Sequence, residues 1–78
     1  MPEPPASEID RVFRQEYGRA VAVLARYFGD IDLAEEAIQE AFTIAVERWP
    51  ITGRPPSVAG WITTTGRNRA IDRLHAGP

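Results

Sequence analysis

The sequence predicts an all-α protein folded as a compact three-helix bundle. Two long segments carry apolar residues at spacings of three and four, which is the pattern of a helix with one buried face. Residues that cap helices precede three segments, and no segment alternates apolar and polar residues as a strand does. The chain has 78 residues, 44% of them hydrophobic, so it can bury one small core and no second domain.

The first predicted helix spans about residues 8–28. We expect residues 1–7, which are rich in proline, to form a disordered tail, with Ser7 as the helix cap. Gly29 follows the last apolar residue and supplies a left-handed stop. Gly18, inside the helix, would let a neighbouring helix approach closely. The predicted buried face consists of Ile9, Val12, Phe13, Tyr17, Ala20, Val21, Leu24 and Phe28.

The second predicted helix spans about residues 32–49. Asp32 and Glu35 have the spacing of a capping box, and Pro50 is expected to end the helix. Its predicted buried face consists of Ala34, Ala37, Ile38, Ala41, Phe42, Ala45 and Trp49. Its opposite, polar face consists of Glu36, Gln39, Glu40, Thr43 and Glu47.

The third predicted helix spans about residues 58–75, after a stiff loop at residues 50–57. Ser57 is in position to cap it. Its apolar residues fall on two sides, with Val58 and Ile62 on one and Ile71 and Leu74 on the other. We therefore expect a kink or break near residues 66–68 that splits the segment in two, or a helix buried on two sides.

The composition argues against thiolate sites, histidine-based catalysis and membrane segments. The chain has no cysteine and one histidine, which leaves no thiolate site and almost nothing for histidine-based catalysis or metal binding. We therefore expect a non-enzymatic protein without a cofactor, in the reducing cytoplasm. No apolar run approaches the roughly 20 residues that cross a bilayer, and the start does not resemble a signal peptide, so no membrane partner is expected.

Charge is divided unevenly along the chain. The net charge is −2, but residues 1–50 carry −5 and residues 51–78 carry +3. This division predicts two partners on two surfaces. By charge alone, the polar face of the second helix is either a solvated face or a surface that binds a partner.

The segment at residues 61–73 combines an aromatic residue, hydroxyls, an asparagine and three arginines. Such side chains bind phosphates, read base edges and stack on unpaired bases. Two structural alternatives stay open at this point. Trp61 is also suited to the core, and Arg69 with Asp72 has the spacing of an ordinary ion pair within a helix.

Two of these segments resemble a known family. Residues 32–42, with an acidic start and then Gln39, Glu40 and Phe42, resemble region 2.2 of extracytoplasmic-function (ECF) sigma factors, small members of the bacterial sigma-70 family. Residues 61–73 are similar to the region 2.3–2.4 signature of that family. The order and separation of the two segments also agree, and the resemblance covers about residues 9–75.

The resemblance implies a compact helical domain divided into region 2.1 (about 8–28), region 2.2 (about 32–49), a loop (50–57) and region 2.3–2.4 (about 58–75). Region 2.2 of the family docks on the clamp helices of the RNA polymerase β′ subunit. Carried over by position, the polymerase-facing residues are Glu36, Gln39, Glu40 and Thr43.

The family's region 2.3–2.4 and the preceding loop recognise and melt the promoter −10 element and capture a flipped base of the non-template strand. Carried over by position, the DNA-facing residues are Arg54, Arg67, Asn68, Arg69 and Arg73. An anti-sigma factor is a further partner that the family allows.

The chain departs from the family pattern in three respects. Residues 63–66 are more polar than is usual, His75 stands where arginine is common, and the promoter-binding region 4 is absent. We therefore expect a fragment or single domain of a longer sigma factor. The first competing hypothesis is a helical protein–protein interaction module without DNA binding. The second is a phosphotransfer protein or another small helical enzyme, which would need an ordered and supported His75.

Overall fold

A computed structural model describes residues 5–75, with side chains from Ile9 onward. Three helices follow one another, α1 (Pro5–Phe28), α2 (Ile31–Thr52) and α3 (Val58–His75). Helix α2 packs extensively against both neighbours, and α1 and α3 contact each other less. The all-α three-helix prediction is therefore confirmed. Within the described residues, no helix is both long and apolar enough to cross a membrane.

The core lies where α2 meets α1 and α3, and among the described residues it contains only hydrophobic side chains and no buried polar or charged one. The predicted buried faces of α1 and α2 are largely confirmed. Val12, Tyr17, Phe28 and Phe42 are half-buried rather than buried. The buried hydrophobic residues are Ile9, Phe13, Ala20, Val21, Leu24, Ala34, Ala37, Ile38, Ala41, Ala45, Trp49, Ile62 and Ala70.

The start of α1 differs from the sequence prediction. The helix begins at Pro5, a residue type that is well tolerated in the first turn because its missing N–H has no intrahelical partner there. Ser7 therefore lies inside the helix and is not its cap. Of the tail predicted at residues 1–7, residues 1–4 lie outside the described residues.

The turn between α1 and α2 is tight. Gly29 has φ +69°, and its N–H donates to the carbonyl of Ala25 at 2.7 Å, which ends α1 as predicted. The carboxylate of Asp30 accepts a hydrogen bond from the N–H of Leu33 at 3.0 Å. Asp30 is therefore the cap of α2, and the prediction that Asp32 caps this helix is wrong.

Asp30→Ala is expected to lower the free energy of unfolding by about 1 kcal/mol, because the Leu33 N–H loses its side-chain acceptor. Asp32→Ala is the matched control, since Asp32 lies in the first turn of the helix without the capping bond. Urea unfolding of both variants measures the difference. If Asp32→Ala lowers the free energy of unfolding as much as Asp30→Ala does, or more, the assignment of Asp30 as the cap is wrong.

Helix α2 continues past Pro50, so the prediction that this proline ends it is wrong. Proline has no N–H to donate to the residue four positions earlier, but its φ is compatible with a helix. Beyond it, the Thr52 hydroxyl donates to the carbonyl of Arg48 at 3.1 Å, and the Gly53 N–H donates to the carbonyl of Trp49 at 2.8 Å. Gly53, with φ +83°, ends the helix.

Helix α3 is one continuous helix, neither split nor buried on two sides. Ser57 caps it as predicted, accepting from the Gly60 N–H at 3.2 Å. Its buried residues are Ile62, Gly66 and Ala70. Because Gly66 and Ala70 are small, the pattern of large apolar residues did not predict this face. Leu74, expected on a second buried side, is 58% exposed.

Gly66 is where α3 crosses α2 closely. A Cβ at this position would lie 2.6 Å from Cδ1 of Ile38 and 3.0 Å from Cδ1 of Leu24. Both of these side chains are fully buried, so any side chain at residue 66 would displace core atoms. The close approach expected at Gly18 is not found there, because no atom lies within 4 Å of a Cβ built on it.

Candidate functional site

The outer side of α2 carries a polar surface that we define by Glu36, Gln39, Glu40 and Thr43. Three of these residues are exposed, and Glu40, on the border with α3, is half-buried. The Thr43 hydroxyl donates to the carbonyl of Gln39 at 3.3 Å. The α2 polar surface therefore offers an amide, a hydroxyl and carboxylates on one side of a regular helix.

A shallow apolar cleft borders this surface at the α1–α2 junction. It has a volume of about 170 Å³ and includes Phe13, Tyr17, Gln39 and Phe42 in its lining. The rings of Phe13 and Phe42 meet edge to face with centroids 5.2 Å apart. The sequence predicts Phe42 in the core, whereas in the structure it packs against the core and is half-buried, so part of its ring lines the cleft beside Gln39.

Arg73 of α3 is held by two carboxylates of α2. Its Nε and Nη2 donate to the two carboxylate oxygens of Glu40 at 3.2 and 3.0 Å, which is the bidentate geometry favoured between guanidinium and carboxylate. Its Nη1 lies 3.1 Å from Oε2 of Glu36. The hydrogen bond and charge of Glu40 raise the pKa of Arg73 above its already high ordinary value.

Arg69, one turn before Arg73, approaches the same carboxylate. Its Nε lies 3.6 Å from Oε2 of Glu40, and its Nη1 lies 3.8 Å from Oδ2 of Asp72. The ion pair between Arg69 and Asp72 that the sequence allowed is thus present, although long. We refer to Glu36, Glu40, Arg69 and Arg73 as the ion-pair cluster, which joins the acidic and basic halves of the chain at one border.

The remaining predicted DNA-facing residues lie outside this cluster. Arg67 and Asn68 are exposed on α3, and Arg54 is exposed in the loop between α2 and α3. Among residues 9–75, no acidic side chain forms an ion pair with Arg67. Arg67 and Asn68 are therefore presented to solvent, while Arg69 and Arg73 point their guanidinium groups at α2.

A second cleft lies where the end of α2 faces the start of α3. It has a volume of about 300 Å³, and Trp49, Thr52, Trp61 and Arg48 are among its lining residues. The two indole rings meet edge to face with centroids 5.0 Å apart. Trp49 is 5% exposed, and its Nε1 has no hydrogen-bond partner among the described residues.

Sequence reasoning missed this tryptophan cleft as a unit. It treated Trp61 as either core or stacking platform, whereas the half-buried Trp61 packs on the core tryptophan and still lines an open cleft. The available signal was the placement of one tryptophan on each side of the loop. That placement brings aromatic rings together when the loop reverses the chain.

The chain matches one family model and is similar to one curated protein. The family model described as Sigma-70 region 2 matches residues 12–76. An uncharacterised protein of Rhizobium meliloti (strain 1021) is 48% identical over 56 residues, which cover 72% of this chain and 13% of the relative. The chain thus spans about an eighth of the length of that curated relative. No solved structure matches the chain.

Proposed function

The chain belongs to the sigma-70 region 2 family, and on that premise we propose that it is the part of a bacterial ECF sigma factor that joins RNA polymerase to the promoter −10 element. The observation that carries the proposal is the family match over most of the folded chain. The proposed domain is a non-enzymatic module of transcription initiation that acts in the cytoplasm without a cofactor. In the proposal region 2.1 corresponds to α1, region 2.2 to α2 and region 2.3–2.4 to α3, and because α2 continues to Thr52 the loop is shortened to residues 53–57.

In this proposal the α2 polar surface binds the clamp helices of the β′ subunit. Gln39 and Thr43 are exposed and have no side-chain partner on another helix among the described residues, so both can exchange water for a partner without breaking the fold. The neighbouring apolar cleft has room for a small apolar side chain. An interface with an apolar anchor and a polar rim fits the usual composition of protein–protein contacts.

Helix α3 and the loop before it bind the non-template strand of the −10 element. The exposed Arg67 supplies charge for a phosphate, and the exposed Asn68 supplies an amide that can pair with a base edge. Arg54, exposed in the loop before α3, supplies a further positive charge. Arg69 and Arg73, the other two DNA-facing residues carried over from the family, point at α2, where carboxylates balance their charge.

The tryptophan cleft is the proposed place for the flipped base. Its open side presents the half-buried Trp61 for stacking, and the core ring of Trp49 supports Trp61 from behind. Stacking of a base on an aromatic side chain contributes about 1–3 kcal/mol. That is comparable with the few kcal/mol needed to unstack and unpair one base, so binding can drive melting without ATP.

Arg67→Ala is expected to weaken binding to single-stranded DNA of any sequence, because one phosphate contact is lost. The slope of log K against log salt should fall by about 0.7. Asn68→Ala should instead reduce the preference for a −10 oligonucleotide over a scrambled one and leave the slope unchanged. Fluorescence anisotropy at several salt concentrations measures both quantities.

The matched control is Arg19→Ala, which removes one exposed arginine from α1. If Arg67→Ala and Arg19→Ala have the same small effect, the DNA side of the proposal is wrong. The helical interaction module without DNA binding would then be the better account. The observation that favours that second candidate is the neutralisation of Arg69 and Arg73 by carboxylates within the domain.

A further inference from the structure

We propose that Glu40 is a positioning residue that holds Arg69 and Arg73 away from DNA until a partner of the α2 polar surface engages its carboxylate. The inference rests on the proposed function, because it concerns how the two binding surfaces of one domain influence each other. It is carried by the ion-pair cluster, in which a residue of the proposed polymerase surface contacts two residues of the proposed DNA surface.

The geometry leaves Arg73 poorly available to a phosphate. All three nitrogens of its guanidinium group face carboxylate oxygens, two of Glu40 and one of Glu36, at distances of 3.0 to 3.2 Å. A guanidinium group binds phosphate through the same planar donors that it uses for carboxylate. A DNA phosphate therefore competes with the carboxylates of Glu40 and Glu36 for the donors of Arg73.

The charges of the cluster also cancel. Two arginines and two glutamates give no net positive charge at this border. The cluster therefore attracts DNA phosphates only weakly while its ion pairs are formed. Non-specific affinity for DNA comes largely from the number of phosphates that a protein neutralises. While these ion pairs are formed, Arg69 and Arg73 add little to the number of phosphates that the domain neutralises.

Glu40 rather than Glu36 is the centre of the cluster. Its carboxylate contacts both arginines, whereas Glu36 contacts Arg73 alone. The side chain of Glu40 is 29% exposed against 57% for Glu36, so water competes less for its contacts. Removing the charge of Glu40 should therefore release more positive charge than removing that of Glu36.

The position of Glu40 couples the two surfaces. A basic side chain of a partner that takes the Glu40 carboxylate leaves Arg69 and Arg73 with fewer internal partners, which makes them available to phosphates. By thermodynamic reciprocity, DNA that takes the arginines leaves Glu40 available to the partner. Each ligand then raises the affinity for the other, although the two ligands need not touch.

Glu40→Gln in the full chain tests the inference directly. Its affinity for a fluorescent single-stranded oligonucleotide of arbitrary sequence should rise roughly five- to twentyfold at 0.1 M salt, with a salt slope steeper by about 0.7 to 1.4, because one or two phosphate contacts are gained. Glu36→Gln should give a smaller rise. The double variant Glu40→Gln, Arg73→Gln should lose part of the gain.

Glu47→Gln is the matched control, since it removes the same charge from an exposed residue of the same helix that forms no ion pair with residues 9–75. Equal affinity and slope for Glu40→Gln and Glu47→Gln would overturn the inference, and the proposed function would stand if Arg67→Ala still weakens binding. A lower melting temperature without a gain in affinity would show a purely structural role and also overturn it. Absence of DNA binding in every variant would overturn both.

Discussion

Ile38→Ala is expected to lower the free energy of unfolding by about 2–5 kcal/mol, as is usual for truncating a buried isoleucine. Ile38 is fully buried, and its Cδ1 is the atom nearest to the position where a side chain of Gly66 would lie. Because Gly66 has no side chain that can fill the space, the truncation leaves a cavity at the α2–α3 crossing. In a domain with about 5–15 kcal/mol of stability, this loss is a large fraction.

Urea or thermal unfolding monitored by circular dichroism measures this effect. Ile51→Ala is the matched control, because it makes the same chemical change in the same helix at a residue that is 85% exposed. Its effect should stay within about 0.5 kcal/mol. Equal losses for the two variants would mean that the buried face of α2 has been assigned to the wrong residues.

The double variant Gln39→Ala, Thr43→Ala is expected to bind the isolated clamp-helix coiled coil of β′ about 5- to 150-fold more weakly, which corresponds to the loss of about 1–3 kcal/mol typical of central contacts. Both side chains are exposed, so the melting temperature should change little. Glu40 is left intact because its substitution would also release the arginines of α3.

Titration calorimetry with the purified coiled coil measures this loss of affinity. Arg67→Ala, on the proposed DNA side of α3, is the control and should bind the coiled coil as the wild type does. If the double variant keeps wild-type affinity, the α2 polar surface is not the polymerase contact.

The fold was predictable because helix periodicity is a local property of the sequence. Two of the wrong predictions concern the ends of α2, where the local sequence is compatible with more than one helix boundary. Asp30 and Asp32 both stand at the start of α2, and only the bond from Leu33 distinguishes them. Likewise, proline usually ends a helix, but the hydrogen bonds of Thr52 and Gly53 carry α2 beyond Pro50.

The candidate site was predictable only in part. Exposure of Gln39 and Thr43 agrees with the polar face predicted for the second helix, and Arg67 and Asn68, which the family resemblance supplied, are exposed as well. The pairing of Arg73 with Glu40 joins residues 33 positions apart, and the packing of the helices determines it. No local pattern shows that residues assigned to two different surfaces share one border.

The central claim is that one small domain holds RNA polymerase on α2 and the −10 strand on α3. The most direct measurement is the fluorescence anisotropy of a labelled non-template −10 oligonucleotide titrated with the wild-type chain and then with the β′ coiled coil. The account predicts tighter binding than to a scrambled oligonucleotide and a further saturable rise in anisotropy when the coiled coil joins the complex. Equal affinity for the two oligonucleotides, with no response to the coiled coil, would contradict it.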